Sequence, residues 1–177
     1  MENVVSSAER RALHAKESTA APRVSDIYAA MPSLTGKFEL EYEGEIRGAE
    51  AVARELIRAA VAKVFSRYFE GVNLQQVVQF FDLGGSLKIT ETAPSSEALA
   101  QLRKIQGLLD KISALGVKDH HPAPLQVSAA EFVLAGLYAH KRIARSEERG
   151  YAAERRPERP AQPAEDPAPG RMRRPLN

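Results

Sequence analysis

Two groups of side chains in this sequence have the chemistry to bind a metal ion. Glu39, Glu41 and Glu43 alternate with apolar residues, and the sequence DHH occupies positions 119–121. Alternating carboxylates point to one side of a strand without converging, whereas hard cations need a closed set of oxygen ligands. Adjacent histidines usually point apart, and no further ligand follows at a helical i, i+4 spacing. We therefore expect a solvated strand face and a loop, and no metal ion.

Glycine-rich segments are the next candidates, because they can hold a phosphate group. A P-loop needs Gly-x-x-x-x-Gly-Lys-Ser/Thr between a strand and a helix. Neither GK at positions 36–37 nor GGS at positions 84–86 fits this motif, and the second is typical of a helix stop followed by a turn. A Ser-His-Asp triad cannot be assigned, because four histidines and many serines allow too many combinations. No catalytic or cofactor-binding residue is therefore assigned.

Basic side chains on two predicted helices are the candidates for contact with a partner. They occupy the charged sides of the central helix and of the final helix. The alternative interpretation is an ordinary solvated surface, since surface charges usually contribute little. The candidate partner-contact residues are Arg54, Arg58, Arg67, Lys141, Arg142 and Arg145.

The basic end of the final helix could also contact phosphates of a nucleic acid. Glu147 and Glu148 interrupt it, and the sequence indicates no aromatic platform beside it. The net charge of +2, from 25 basic and 23 acidic side chains, also argues against a dedicated nucleic-acid binder. Nucleic acid is therefore not the expected partner.

The composition indicates one domain of a protein that works in the cytoplasm. A chain of 177 residues is long enough for one core and short for two. It has no cysteine, which excludes disulfides and a cysteine nucleophile. No apolar run reaches the roughly 18–20 residues that a membrane span needs. We expect a soluble, cytoplasmic and mostly helical protein with no membrane contact.

The strongest periodic signal lies at residues 48–69, GAEAVARELIRAAVAKVFSRYF, which we take as the central helix. Apolar residues form two adjacent i, i+4 rows, and alanine is plentiful. These rows together predict one broad buried stripe. The first row is Val52, Leu56, Ala60, Val64 and Tyr68, and the second is Ile57, Val61 and Phe65.

Other segments predict further helices and a small β ribbon. Four helices are expected, over residues 1–16, 26–31, 73–81 and 95–115. A final helix is expected to begin at the capping box of Ser128 and Glu131 and to end in the basic residues at 140–149. Pro32 should end the second helix. Alternation at residues 36–43 and 86–92 predicts two strands that could pair with each other. The fold class is mostly α with a two-stranded ribbon.

The chain divides into three regions on composition. Residues 1–23 form a helix and a linker, residues 24–151 form the helical domain, and residues 152–177 form a tail rich in Pro, Arg and Ala. The tail has no apolar periodicity, so we expect it to be disordered.

Several segments taken together resemble a known family. They resemble, in order, the C-terminal part of bacterial magnesium-chelatase-like, MoxR-type AAA+ ATPases, some of which are labelled sigma-54-interacting. The likeness covers residues 3–151 and rests on packing motifs rather than catalytic ones. The segments are NVVSSAERRAL, PRVSDIYAAMPSLTGKFELEYEGE, GAEAVARELIRAAVAKVFSRYF, QQVVQFFDLGGSLKI and AEFVLAGLYAHKRIARSEERG.

The resemblance implies a function for the chain. In that family an N-terminal α/β core carries the P-loop and hydrolyses ATP with Mg²⁺, followed by a helical lid and then this region. The sensor arginine of the lid is not carried over to Arg10 or Arg11. Residues 1–23 would be a remnant of the lid and residues 24–151 an accessory domain. The chain would then be a C-terminal fragment that comes from a truncated gene, from an internal start at Met1, or from a split partner.

The implied role is contact with an AAA+ core or a client protein, without ATP hydrolysis by this chain alone. ATP and Mg²⁺ would belong to the absent core, and an oligomer is compatible with this role. Two alternatives remain open. One is a subunit of an ATP-dependent metal-insertion or remodelling complex, and the other is a transcription-related or nucleic-acid-binding adaptor.

Overall fold

The structure, a computed structural model, describes residues 1–39, 47–90, 92–146 and 150–154. The described residues are mostly helical, which confirms the predicted fold class. The helices are α1 (Glu2–His14), α2 (Val24–Ala29), α3 (Met31–Thr35), α4 (Ala49–Phe69), α5 (Gln75–Asp82), α6 (Ser95–Leu102), α7 (Leu108–Lys111), a 3₁₀ turn (Ile112–Leu115) and α8 (Ala123–Ala139). Two strands follow, β1 (Ala144–Ser146) and β2 (Gly150–Ala152).

The two-stranded ribbon is present, but other residues form it. β1 pairs with β2 in antiparallel register, and Leu87 adds an isolated bridge to Tyr151. The predicted pairing of residues 86–92 with residues 36–43 is therefore wrong for residue 87. Residues 36–39 form a turn and irregular chain, while residues 40–46 lie outside the described residues. Gly150 permits the bridge, because a Cβ there would lie 2.2 Å from the Leu87 carbonyl oxygen.

Helix α8 lies at the centre of the main core. Val127, Ala130, Val133, Leu134 and Leu137 are fully buried. Around them pack side chains of α5, α6, α7 and the 3₁₀ turn. A helix that is apolar on every side is a buried helix. The sequence therefore pointed to the wrong central helix. The predicted central helix is α4, which packs against one side of α8, whereas α8 lies at the centre of the core.

Helix α4 buries only one of its two predicted apolar rows. Ile57, Val61 and Phe65 are buried, whereas Leu56, Val64 and Tyr68 are 55%, 45% and 47% exposed. The prediction of a single broad buried stripe is wrong because α3 and α8 cover one side of the helix only. The uncovered row is a surface feature.

The last helix ends earlier than predicted. It begins after Pro122 and stops at Ala139, so Ser128 lies inside it and its hydroxyl donates to the Pro22 carbonyl. Lys141 has a positive φ of 56°, and the chain then enters β1. The predicted basic helix end is therefore a turn and a strand, and residues 147–149 lie outside the described residues.

The predictions for the other helices and for the tail are correct in some parts and wrong in others. Helix α1 is confirmed. Pro32 does not end a helix but lies in the first turn of α3, where proline needs no hydrogen-bond partner. The predicted helix 95–115 is divided into α6, α7 and the 3₁₀ turn, with Gly107 in the left-handed region. Of the predicted tail, residues 155–177 lie outside the described residues.

A buried ion pair attaches α1 to α2. Arg11 donates to Asp26, and both side chains are less than a tenth exposed. Ser7 and the backbone N–H of Arg23 also donate to this carboxylate, at 2.8 and 2.7 Å. Burial raises the pKa of Asp26, but these hydrogen bonds outweigh it and hold the pKa below its ordinary value.

A second set of polar contacts attaches the linker to α6 and α8. The Arg23 guanidinium donates to the Ser95 hydroxyl at 3.0 Å and to the Ala93 carbonyl at 3.3 Å, and it lies 3.8 Å from Glu131. Glu17 accepts from the backbone and hydroxyl of Ser95. Burial raises the pKa of Glu131, with Arg23 acting in the opposite direction. These contacts therefore connect residues 1–23 to residues 24–151, across the domain boundary that the sequence predicted at residue 23.

Candidate ligand-binding groove

An open groove of about 980 Å³ lies between α4, the end of α2 and the β1–β2 ribbon. Of the described residues that line it, five are basic, three are tyrosines and Glu55 is acidic. The described part of the lining is therefore cationic with aromatic walls. The basic and aromatic residues are Arg47, Arg54, Arg58, Lys88, Arg145, Tyr28, Tyr138 and Tyr151.

Helix α4 supplies one wall. Arg54 and Arg58 are four residues apart and so share one face of the helix. Arg54 donates two hydrogen bonds to Glu50, at 3.0 and 2.7 Å, and Arg47 pairs with Glu55. These pairs are half exposed or more, and exposed ion pairs contribute at most about 1 kcal/mol. An anionic ligand could compete for these arginines at small cost.

The β ribbon supplies the opposite wall. The register places Arg145 directly across from Tyr151. The Arg145 guanidinium carbon lies 5.3 Å from the ring centre of Tyr151 and 5.4 Å from that of Tyr28. Arg54 approaches the same Tyr28 ring, at 5.9 Å. A cation–π contact does not use the N–H groups of a guanidinium, so Arg145 can still donate hydrogen bonds to a ligand.

Two tyrosines of the groove, Tyr28 and Tyr151, stay neutral at physiological pH. Burial raises the pKa of Tyr151 to about 12, although Arg145 acts in the opposite direction. Burial also raises the pKa of Tyr28. Neutral phenols do not cancel the charge of the arginines. Their hydroxyl groups can donate a hydrogen bond to an anion, so the wall is suited to carboxylates or phosphates.

The structure brings three of the six predicted partner-contact residues into this groove. They are Arg54, Arg58 and Arg145. Arg67, Lys141 and Arg142 do not line it. Arg67 is exposed in the last turn of α4, and Arg142 donates to the Gln75 side chain at 3.4 Å.

One statement from the sequence needs correction. We expected no aromatic platform near the basic residues that follow α8, but Arg145 stacks on Tyr28 and Tyr151. Tyr28 is more than a hundred residues away in the chain, so no local pattern could place it there. Lys88 was missed for the same reason, since it reaches the groove through the Leu87–Tyr151 bridge.

Of the residues first considered for metal binding, those that the structure describes do not line the groove. Glu39 is exposed, and Glu41 and Glu43 lie outside the described residues. The rings of His120 and His121 stack with centres 4.5 Å apart, and His121 Nδ1 accepts from the Lys118 backbone at 3.0 Å. Among the residues that the structure describes, no three His, Asp or Glu side chains form a group that could hold a metal ion.

Comparison with known proteins adds no relative. No family model, curated protein or solved structure matches this chain. Within the described part of the chain, no helix combines the length and the apolar character that crossing a membrane requires.

Proposed function

We propose that this protein is a non-catalytic interaction module that binds an acidic segment of a partner protein in the groove. The observation that carries the proposal is Arg145, which lies within cation–π distance of Tyr28 and of Tyr151 in a groove whose described lining has four other basic residues. Planar guanidinium groups pair with carboxylates through two parallel hydrogen bonds. The function is therefore recognition rather than chemistry.

The shape of the groove favours a polypeptide segment. Among the described residues its walls come from a helix and a ribbon, and it is open to solvent, so an extended segment of a partner can lie against it. Glu55 on the α4 wall would repel a continuous phosphate backbone, whereas separated acidic side chains can avoid it.

The resemblance to MoxR-type AAA+ ATPases supplies the proposed partner. In this proposal the chain acts as the C-terminal accessory domain of such an ATPase, and the acidic segment belongs to the AAA+ core or to its client. ATP and Mg²⁺ are assigned to the core. The working compartment is then the cytoplasm, where these ATPases act.

The test is a binding and activity measurement. The chain is mixed with a MoxR-type AAA+ core that lacks its C-terminal region, with and without ATP and Mg²⁺, and complex size and ATPase rate are measured. We expect a complex that changes the ATPase rate. Arg145→Ala should weaken binding about tenfold, since interface arginines often contribute more than 1 kcal/mol. Arg103→Ala, an exposed arginine outside the groove, is the matched control.

Two outcomes would count against the proposal. One is the absence of a complex although the chain is folded, and the other is equal weakening by Arg145→Ala and Arg103→Ala. A single-stranded DNA titration is run in parallel. Affinity that falls steeply with salt and is lost in Arg145→Ala would replace the proposal with the nucleic-acid adaptor.

A further inference from the structure

The uncovered apolar row of α4 is a separate surface from the groove. It consists of Leu56, Ala60, Val64 and Tyr68, spaced four residues apart, and all four are exposed. Side chains with this spacing form one continuous ridge along a helix. None of the four lines the groove. A ridge of three large apolar side chains on a helix surface indicates contact with another molecule.

The charges beside this row are arranged in a directional way. The residues immediately before the four members of the row form a second, parallel row, which we call the edge. The edge consists of Glu55, Ala59, Lys63 and Arg67. The edge is acidic towards the N-terminus and basic towards the C-terminus. Small residues, Ala59 and Ala60, occupy the middle of the two rows, so a second helix can approach closely there.

We propose that a second copy of this chain covers the row, with the two α4 helices antiparallel around a twofold axis near Ala60. Leu56 of one copy then packs against Val64 of the other. A twofold axis keeps the two edges on the same side of the helix pair, so Glu55 of one copy faces Lys63 and Arg67 of the other. In a parallel twofold arrangement the two edges would instead lie on opposite sides of the helix pair, where their charges could not pair with each other.

The contact that Glu55 already makes does not prevent this pairing. Glu55 pairs with Arg47 in the same chain, and these two side chains are 50% and 58% exposed. Such a pair contributes little, so exchange for Lys63 or Arg67 of a second copy costs little. The role of Arg67, which the groove leaves without a function, is then to determine the orientation of the dimer.

The expected dimer is weak. One helix row covers less than the roughly 800 Å² per partner of a standard interface. We therefore expect reversible association with a dissociation constant on the order of micromolar.

Disulfide trapping tests the position of the twofold axis. The chain has no cysteine, so a single introduced cysteine can only pair with its equivalent in a second copy. Under mild oxidation, Ala60→Cys should form covalent dimers at least tenfold faster than Leu83→Cys, a control at a position that is 80% exposed. Equal rates for the two variants would overturn the proposal.

Sedimentation across a concentration series tests both the apolar contact and the orientation of the two helices. Val64→Glu should abolish dimers while circular dichroism stays unchanged, because the side chain is already at the surface. Glu55→Lys should weaken the dimer at least tenfold, and adding Lys63→Glu and Arg67→Glu should restore it. A monomer at all concentrations, a dimer that survives Val64→Glu, or a triple variant no tighter than Glu55→Lys would each refute it.

Discussion

Arg145 shows how one side chain acquires a role from Tyr28, which is far away in the chain, and from Tyr151, its partner in the β ribbon. As an exposed residue of a short strand it would be an ordinary surface charge. Two tyrosine rings with centres 5.3 and 5.4 Å from its guanidinium carbon restrict the positions that this side chain can take. Fixing an arginine before binding lowers the entropy cost of forming two hydrogen bonds to a carboxylate.

Asp26 gives a prediction at the residue scale for stability against pH. Its lowered pKa means that its contribution is present above the unfolded value of 3.8 and is lost as pH falls towards the folded pKa. Asp26→Asn should cost about 3 kcal/mol at neutral pH, because Arg11 is left buried without a counter-charge. Urea unfolding at pH values from 7 down to 2.5 measures the difference from the native chain.

The sign of the pH dependence is the critical part of this test. The difference between Asp26→Asn and the native chain should stay constant down to about pH 4 and shrink below it. Asn3→Asp, which adds an exposed carboxylate on the same helix, is the control and should change stability by under about 0.5 kcal/mol. A difference that does not change with pH would show that the Asp26 charge is unimportant.

At the scale of elements, the contact between α4 and α8 depends on a missing side chain. A Cβ at Gly136 would lie 1.9 Å from the Phe65 ring, so glycine is what allows the ring to reach the α8 backbone. Phe65 also stacks on Phe69, with ring centres 4.6 Å apart. The close crossing of the two helices therefore orders the aromatic part of the core.

Gly136→Ala should destabilise the protein by about 1–3 kcal/mol, although alanine is the better helix former. Thermal and urea unfolding measure the loss. Gly36→Ala is the matched control, because its new Cβ would meet only ordinary contact distances. Combining Gly136→Ala with Phe65→Leu should cost less than the sum of the two. Additive costs would mean that the ring and the glycine are not coupled.

At the scale of the whole molecule, buried polar contacts connect residues 1–23 to the rest of the chain. Arg23 contacts α6 through Ser95 and approaches Glu131 of α8, while Arg11 joins α1 to α2. Contacts of this kind make neighbouring elements unfold together. We therefore expect the N-terminal helix to unfold together with the elements that form the groove.

Arg23→Ala is therefore expected to lower the stability of the whole chain by about 3 kcal/mol, since it leaves Glu131 buried without its counter-charge. Far-ultraviolet circular dichroism and tyrosine fluorescence should follow one common transition. Arg10→Ala, at an exposed position of α1, is the control and should cost less than about 0.5 kcal/mol. Separate transitions would indicate that residues 1–23 unfold independently.

Local signals in the sequence were sufficient for much of the fold. Periodicity predicts α1, α4 and α5, and buried Val77, Val78 and Phe81 lie where the pattern of α5 requires. The predicted start of this helix at residue 73 lies within two residues of the observed one, and the Asn73 side chain accepts from the Gln75 backbone at 2.9 Å. These features depend on residues within a few positions of one another, so the sequence carries them directly.

By itself, then, the sequence determined the helical class and pointed to three of the five described basic side chains that line the groove, Arg54, Arg58 and Arg145. Only the tertiary structure decided which row of α4 is buried, because the choice depends on Gly136 accepting Phe65. The tertiary structure also decided that Arg145 meets Tyr28. The residues after α8 form strand β1, which pairs with β2 and carries Arg145 to this position. Both decisions depend on contacts between residues distant in the chain, which no local periodicity encodes.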